Sequence, residues 1–517
     1  MASGRLKAVF GVAGVVFLSK LLGLAREMVI ADKFGTSAEY DLYLIAIILP
    51  ALAYGVINFA SFYLFVPYLT RKLEKNTDAL ELGGWKTAWS LFNFTFTGAL
   101  VVTLIIILGA PLIMRIWAGD YAPEQFEMII FYSRVTAFIV LLGISEAFLR
   151  AVLNVKKIFT YPAAGPIIFN FFSILCIILF SGKLSVGAIA LGLMAGLFLQ
   201  NVYLVLRLAG LKALGGFNLS FKYIDFRELM TMAGILILIE LLNRSYFMID
   251  RYFAPQFGEG IISALNYSQV LVQLPDAVVG FAIASVLFPL FSRTYDKNNL
   301  FRFNALYQKA VIGGLLVAVP LAAVFYINAG EIIHLIFYRG VFDTASLTKT
   351  AQVLKPYTPT IIALFVISTS LRACYGRGLA RQVLVFTIIL LVTKFLTTAL
   401  LPLWFGYAGI SAATSISQVG FAVLLFLLII KRHRMESKGK FVFSIIKIFL
   451  AGIIGFVLVY YVNHIAGGYL VEMSRYTSVL KIAISSAAVL LFYGLPVYLF
   501  GFGDYIKEIL RLKENRA

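Results

Sequence analysis

Long apolar stretches, separated by short segments that carry most of the charges, run along almost the whole chain. A helix needs about 20 consecutive apolar residues to cross a bilayer, and fourteen stretches reach that length. We therefore predict an all-α polytopic membrane protein with fourteen transmembrane helices. The predicted spans are 6–31, 42–70, 87–114, 126–149, 162–181, 185–206, 230–250, 262–291, 310–336, 352–375, 383–402, 407–430, 441–463 and 478–500.

The composition supports a membrane protein. Of the 517 residues, 61% are hydrophobic and only 13% are charged, and the mean hydropathy is +0.92. A soluble globular protein is about half apolar and a quarter charged. The first apolar stretch is too long for a removable signal peptide and lacks a small-residue cleavage site. Cys176 and Cys374 both lie inside apolar stretches, so no disulfide framework is predicted.

The net charge of +19 is explained by membrane topology. With the N-terminus inside, 29 of the 44 Lys and Arg residues fall in predicted cytoplasmic loops and tails, and seven fall in outer loops. This asymmetry follows the positive-inside rule and predicts that both termini are cytoplasmic. Nucleic acid is therefore not an expected partner.

An internal repeat relates the two halves of the first twelve predicted helices. ADKFG at 31–35 recurs as APQFG at 254–258, and FLRA at 148–151 recurs as SLRA at 370–373. Because six spans is an even number, both copies insert in the same orientation, as in transporters with a site between two halves. The predicted domains are an N-lobe at 1–215 (helices 1–6), a C-lobe at 222–434 (helices 7–12), helices 13–14 at 440–501 and a basic cytoplasmic tail at 502–517.

Charged residues inside predicted helices are the candidates for a functional site. A charge at the bilayer centre costs roughly 2.5–3.5 kcal/mol on insertion scales, so it usually faces protein or a water-filled cavity. Glu27 and Asp250 occupy matching positions in the two repeats, so the helices that carry them are expected to line the cleft between the repeats. The full set is Lys20, Arg26, Glu27, Glu240, Arg244, Asp250, Asp276 and Lys394.

These residue types suit a charged or amphipathic solute. Arginine binds phosphate by two parallel hydrogen bonds and lysine binds it as a point charge, whereas acids can bind a coupling cation such as Na⁺ or H⁺. The alternative is that the charges form internal ion pairs that fix helix packing. Glu240 and Arg244, for example, are four residues apart and share a helix face. Asp41 and Asp276 lie near helix ends, where capping explains them equally well.

Catalytic chemistry has little support in the sequence. It contains no HExxH, P-loop, CxxC or GxSxG motif. No segment outside the predicted spans is long enough to form a catalytic domain. We therefore expect a transporter and not an enzyme.

Several long stretches resemble the MviN/MurJ family of lipid II flippases. The N-terminal part of the family's sequences is similar to two stretches of this chain, GLAREMVIADKFGTSAEYDLYLIAIILPAL and, after it, FASFYLFVPYLTRK. Its seventh and eighth helices are similar to MIDRYFAPQFGEGIISALNYSQVLVQLPDAVVGFAIASVLFPLFSR. The loop before helix ten and the end of that helix are similar to YRGVFDTASLTKTAQVLKPY and SLRACYGRGLARQ. The resemblance covers most of residues 15–435.

The resemblance implies the fold of the multidrug/oligosaccharidyl-lipid/polysaccharide (MOP) exporters. That fold has two six-helix lobes, works by alternating access and, in the flippases, adds two C-terminal helices that help to form a groove for a polyprenyl tail. The implied substrates are polyprenyl-pyrophosphate-linked sugars for cell wall or polysaccharide synthesis. They are turned from the inner to the outer leaflet of the bacterial inner membrane. Membrane lipids are expected partners, and we expect a monomer.

The resemblance also assigns roles to individual residues. Arg26 matches the family's cavity arginine on helix one, and Glu27 stands where an acid is usual. Asp41 matches the acid of a TDAF-like motif. Asp250 matches the acid of a VD motif on helix seven, which helps to bind sodium in some members.

Three positions depart from the family pattern. Lipid II flippases carry LPNLLRR where this chain has LPALAYG, with Tyr54 and Gly55. YADRL corresponds here to YSQVL, with Val270, and the acid of an RxD motif is replaced by Leu379 in GRGLAR. Two cavity arginines and a sodium ligand are therefore missing, and Lys20, Arg244 and Lys394 are the candidates to supply replacement charge.

We therefore predict a flippase for an undecaprenyl-pyrophosphate-linked glycan, either lipid II or a capsule, O-antigen or exopolysaccharide unit. Two alternatives are a cation-coupled exporter of small amphipathic molecules with the same fold and a membrane scaffold that transports nothing. Asp250 is the candidate ligand of a coupling cation, Na⁺ or H⁺, and no resident cofactor is predicted. The predicted substrate-binding residues are Arg26, Glu27, Lys20, Arg244, Lys394 and Asp41.

Overall fold

Helices are the only regular elements in the part of the chain that the computed structural model describes. The described residues are 2–74, 83–210, 219–277, 300–432, 438–469 and 474–503. A helix satisfies its backbone hydrogen bonds within one segment, as the interior of a bilayer requires. The predicted all-α class is confirmed within these residues. Most of the predicted tail at 502–517 lies outside them.

The chain divides into two compact units, 1–255 and 256–517. A π-helical turn at Ser61–Phe65 separates the third and fourth helices of the first unit. The helices of this unit are α1 (Ala2–Phe34), α2 (Ala38–Ala46), α3 (Ile48–Ala60), α4 (Val66–Glu74), α5 (Gly83–Ile113), α6 (Arg115–Ala118), α7 (Pro123–Thr136), α8 (Ile139–Val155), α9 (Thr160–Leu184), α10 (Gly187–Gly210) and α11 (Phe226–Phe253).

The second unit continues the series after a 3₁₀ turn at Ala254–Phe257. A π-helical turn at Tyr498–Phe502 follows its last helix. The helices of this unit are α12 (Ile261–Pro275), α13 (Leu300–Ile327), α14 (Ala329–Phe337), α15 (Thr344–Tyr357), α16 (Pro359–Gly376), α17 (Ala380–Leu400), α18 (Pro402–Phe405), α19 (Ala408–Arg432), α20 (Lys438–Tyr469), α21 (Arg475–Phe492) and α22 (Gly494–Val497).

Eleven helical stretches of the described chain are long and apolar enough to cross a membrane, and they fall on eleven of the fourteen predicted spans. The other three predicted spans, 6–31, 230–250 and 262–291, correspond to α1, α11 and α12. The structure describes the side chains of only part of α1 and α11, and residues 278–291 lie outside the described chain. A polytopic helical membrane protein is therefore confirmed, whereas the count of fourteen stays a prediction.

The packing of α11 positions the candidate site. This helix, predicted to open the C-lobe, packs against α3 within the first unit. The π-helical turn after α3 is fixed to α8, because the buried Ser61 hydroxyl donates to the carbonyl of Ala147 at 2.9 Å. Such turns are often found at functional sites. The sequence-based division into lobes at 215 and 222 stays a prediction.

Polar contacts fix the last long helix to the second unit. The Ser485 hydroxyl on α21 donates to Oδ1 of Asn328 at 3.0 Å. Near the start of α21, the Ser478 hydroxyl lies 2.9 Å from Nδ1 of His334. Buried polar groups in a membrane protein are expected to pair in this way. Helices α20 and α21 therefore fold as part of the second unit.

Asp343 caps the N-terminus of α15, and the contribution of this cap to stability can be tested. Its Oδ1 accepts the backbone N–H of Ser346 at 2.8 Å, and bonding to Ser346 holds the pKa of Asp343 below its ordinary value. Because the folded pKa lies below the unfolded one, this stabilisation is complete above the unfolded pKa of about 3.9 and is lost as the pH falls through the folded pKa.

We expect Asp343→Ala to lower the free energy of unfolding by about 1 kcal/mol at pH 7. Asp343→Asn keeps an oxygen acceptor, so it should lower the free energy of unfolding by only a fraction of this amount. Because asparagine does not titrate, the stabilisation by the cap should no longer depend on pH. Thermal unfolding of the purified protein in detergent, at pH 7 and at acidic pH, measures both effects. Equal melting temperatures for the alanine variant and the wild type at pH 7 would contradict the capping role.

Candidate functional site

The candidate site begins in the C-terminal part of α1, at the adjacent residues Arg26 and Glu27. Nη2 of Arg26 donates to Oε1 of Glu27 at 2.9 Å, and the two side chains are 23% and 8% exposed. The guanidinium carbon lies 5.4 Å from the centroid of the Phe169 ring on α9. Each ion neutralises the other, which explains how the helix carries both charges through apolar surroundings.

This ion pair keeps spare hydrogen-bonding capacity. Arginine has five N–H donors, and within the described chain the guanidinium of Arg26 makes one hydrogen bond, to Glu27. The other carboxylate oxygen of Glu27, Oε2, is buried and has no hydrogen-bond partner among the described residues. Arg26 can therefore bind an anion with a second edge of its guanidinium while it still contacts Glu27.

A second group of charges lies where α2 meets the end of α11. The guanidinium of Arg251 donates to the carbonyl oxygen of Leu44 on α2. Asp41 and Asp250 are each 5% exposed, and both lie within electrostatic range of Arg251. The predicted span 230–250 ends one residue before Arg251, whereas the structure places Arg251 inside α11 as the bridge to α2.

Two buried tyrosines connect this group with the pair on α1. Tyr40 and Tyr43 lie within electrostatic range of both Arg26 and Arg251, and their rings stack with centroids 6.4 Å apart. Tyr40 is 2% exposed and Tyr43 is 3% exposed. Four of the residues singled out in the sequence are thereby gathered in one region of the first unit: Arg26, Glu27, Asp41 and Asp250.

Arg244 lies on α11 about two turns before Arg251. Its Nε donates to Oε1 of Glu240 at 2.7 Å, so the ion pair suggested by the four-residue spacing is present. The Arg244 side chain is 46% exposed and that of Glu240 is 12% exposed. The guanidinium lies directly against Gly55 of α3, where a Cβ atom would come within 2.7 Å of Nε.

The two lysines singled out in the sequence lie elsewhere. Lys20 is exposed on α1. Lys394 is fully buried on α17 in the second unit, where its Nζ donates to the carbonyl of Ile410 at 3.2 Å and to the hydroxyl of Thr414 at 2.6 Å. These bonds tie α17 to α19. A substrate-binding role for either lysine stays a prediction.

A buried ion pair that did not stand out in the sequence lies between α3, α8 and α10. Glu146, whose side chain is 1% exposed, lies 3.4 Å from Arg150 and accepts a hydrogen bond of 3.0 Å from Gln200. Arg150 in turn donates to Oδ1 of Asn58 at 2.7 Å. The sequence placed Arg150 just outside the predicted span 126–149, so the four-residue spacing of Glu146 and Arg150 was the only signal.

No group of three or more His, Cys, Asp or Glu side chains suited to a metal ion occurs among the described residues. Asp250 therefore does not belong to such a group in the described part of the chain. Its role as ligand of a coupling cation stays a prediction.

Comparisons of the sequence with known proteins point to one family. The family model described as lipid II flippase MurJ matches residues 30–480. The probable lipid II flippase MurJ of Rickettsia prowazekii is 25% identical over 510 residues, which cover 96% of this chain and 97% of the relative. The lipid II flippase MurJ of Burkholderia cenocepacia is 25% identical over 446 residues, or 82% and 84% of the two chains.

Solved structures show a similar fold. A lipid II flippase MurJ in an inward closed conformation superimposes with a TM-score of 0.78 at 20% identity, covering 95% of this chain and 99% of that one. An inward-facing multidrug resistance transporter of the MATE family, in the MOP superfamily, gives a TM-score of 0.65 at 13% identity, covering 82% and 98%. At these identities the likeness concerns the fold alone.

Proposed function

The chain belongs to the lipid II flippase MurJ family, and we propose that it moves lipid II from the inner to the outer leaflet by alternating access. Lipid II is an undecaprenyl-pyrophosphate-linked glycan and a precursor of peptidoglycan. Beyond family membership, the observation that carries the proposal is the Arg26–Glu27 pair, a partly buried guanidinium with donors to spare inside a membrane helix.

Arg26 suits a lipid pyrophosphate for two reasons. Its planar fork of donors matches the oxygens of a phosphate group, and hydrogen bonds between ions are the stronger ones in a site of low dielectric constant. An arginine alone in such surroundings would be costly. Glu27 lowers that cost in the empty site, and an incoming pyrophosphate can bind the other edge of the guanidinium while Arg26 still contacts Glu27.

Lipid II is the substrate that we favour, because it appears in the names of relatives that this chain matches over 97% and 84% of their length. A precursor of another surface polysaccharide shares the pyrophosphate and the polyprenyl tail, so Arg26 would hold it in the same way. The similarity to a MATE transporter concerns the fold alone and does not favour export of small amphipathic molecules. Family membership likewise argues against a scaffold that transports nothing.

The proposal extends to the setting of the protein. The excess of Lys and Arg in alternate loops supports an orientation in the bacterial inner membrane with both termini in the cytoplasm. We propose a monomer that binds no nucleic acid and works by rocking of an N-lobe at 1–215 against a C-lobe at 222–434. Asp250 is our candidate ligand for a coupling cation, Na⁺ or H⁺.

A depletion experiment tests the proposal. The gene is expressed in a bacterium whose own lipid II flippase can be switched off, and growth and peptidoglycan synthesis are followed after depletion. We expect the wild-type chain to restore both. Rescue of a surface polysaccharide in a strain that lacks the corresponding exporter, without rescue of peptidoglycan, would redirect the proposal to a different lipid-linked glycan.

A further inference from the structure

Gly55 occupies an unusual place for a glycine. It is buried in the interior of α3, and its backbone has ordinary right-handed helical geometry, so no turn or positive φ angle requires a glycine there. Glycine is among the poorest helix formers, and in a helix interior it usually marks the close approach of another group. The glycine at position 55 is therefore explained by a group that packs against it.

The reason is the side chain of Arg244. A Cβ atom at position 55 would lie 2.7 Å from Nε of Arg244, 2.9 Å from its Cδ and 3.0 Å from its Cζ. The first two distances are shorter than real Cβ contacts, and the third lies at the lower end of their range. Any residue other than glycine at position 55 therefore has to displace the guanidinium of Arg244 from α3.

The outer edge of the Arg244 guanidinium, formed by Nη1 and Nη2, is available to bind a ligand. Nε donates to Glu240, and within the described chain neither Nη1 nor Nη2 has a hydrogen-bond partner. The side chain is 46% exposed, although it lies well inside a predicted span. Because a charge exposed to hydrocarbon is costly, the exposed edge is expected to face water or an anionic ligand. Two terminal N–H groups in one plane are what bidentate binding of a phosphate requires.

The neighbouring side chain points elsewhere. The ring of Tyr54 packs against Gly143 of α8, where a Cβ atom would lie 2.4 Å from the ring. Position 54 therefore fills the space between α3 and α8. Of the two adjacent positions on α3, only position 55 lies against the α11 arginine.

We propose that Arg244 is a phosphate-binding residue of the transport site and that Gly55 is the gap in α3 that admits it. This inference rests on the proposed function, since it assigns the pyrophosphate of the lipid carrier as the ligand. The positive charge beside position 55 then comes from Arg244 of α11, which lies against Gly55, and not from a side chain of α3. It follows that an arginine at position 55 can replace the one at position 244.

Four variants test this exchange. Arg244→Met keeps an unbranched side chain, shorter than arginine, and removes its charge, and Arg244→Lys keeps the charge without the planar fork. Gly55→Leu closes the gap. The double variant Gly55→Arg with Arg244→Gly moves the guanidinium to the other helix. Gly98→Leu is the matched control, because Gly98 is a helical glycine of the same unit with open space around its Cβ position.

Binding of undecaprenyl pyrophosphate to each purified variant is compared with binding of undecaprenol, which has the same tail and no phosphate. We expect Arg244→Met and Gly55→Leu to weaken pyrophosphate binding on the order of 10-fold to 100-fold and to leave undecaprenol binding unchanged. Arg244→Lys should recover part of the loss, and the double variant should recover most of it. Gly98→Leu should behave as the wild type.

Two results would overturn the inference. One is an Arg244→Met protein that melts at the wild-type temperature and binds undecaprenyl pyrophosphate as tightly as the wild type. The other is a loss of binding that affects undecaprenol equally and is not recovered by the double variant, because that indicates a structural role alone. The proposed function fails separately, when the wild-type chain itself does not move lipid II.

Discussion

Replacement of Arg26 by alanine is expected to abolish lipid II translocation. The change removes the donors for the pyrophosphate and leaves Glu27, only 8% exposed, without its partner. Truncation of one partner of a buried charge pair between protein and ligand typically costs about 2–5 kcal/mol of binding free energy. For the contact between Arg26 and the pyrophosphate, we therefore expect the rate of translocation to fall on the order of 100-fold or more. Translocation in vesicles and rescue of a flippase-depleted strain both measure this loss.

A double variant separates the two causes of that loss. In Arg26→Ala with Glu27→Gln, no buried charge is left unpaired, so the melting temperature should return towards that of the wild type while translocation stays lost. Arg134→Ala, at an exposed arginine of the same unit, is the matched control and should transport normally. Recovery of translocation in the double variant would mean that Arg26 serves only to neutralise Glu27.

Replacement of Glu146 by alanine is expected to cause the largest loss of stability. Arg150, whose side chain is 12% exposed, would keep its hydrogen bond to Asn58 but lose its counter-ion. Breaking a buried ion pair by removing one partner typically costs about 3–5 kcal/mol. Thermal unfolding of the purified protein in one detergent measures the change.

Two comparisons make this prediction specific. Asp32→Ala breaks the more exposed pair between Asp32 and Lys33, whose side chains are 31% and 39% exposed, and should cost less than about 1 kcal/mol. Glu146→Leu with Arg150→Met removes both buried charges and should be more stable than Glu146→Ala. If Glu146→Ala unfolds within a degree or two of the wild type, the pair does not hold α8 as we describe.

Much of the architecture could be predicted from the sequence, because the bilayer imposes strict requirements on a helix. The eleven predicted spans that coincide with long apolar helices are runs of a length typical of helices that cross a membrane. Arg26 and Glu27 could be found in the same way, since charges inside such a run stand out. Their pairing follows from adjacency, and the structure places it at 2.9 Å.

Contacts between distant parts of the chain could not be predicted. Gly55 and Arg244 are far apart in sequence, and nothing in either local pattern indicates that one makes room for the other. Arg150 lay at a predicted helix end, where an arginine ordinarily reaches the membrane surface, so its buried ion pair was missed. Arg251 was misplaced for the same reason, because a charge at a helix end can turn outward or inward.

The most direct test of the account is translocation by the purified protein. The wild-type chain and Arg26→Ala are reconstituted into separate liposomes that contain lipid II, and the fraction of lipid II accessible on the outer surface is followed over time. The account predicts that the wild type transfers lipid II between leaflets and that the variant does not exceed protein-free liposomes. Wild-type liposomes that match protein-free ones, in a preparation where a known lipid II flippase is active, would contradict it.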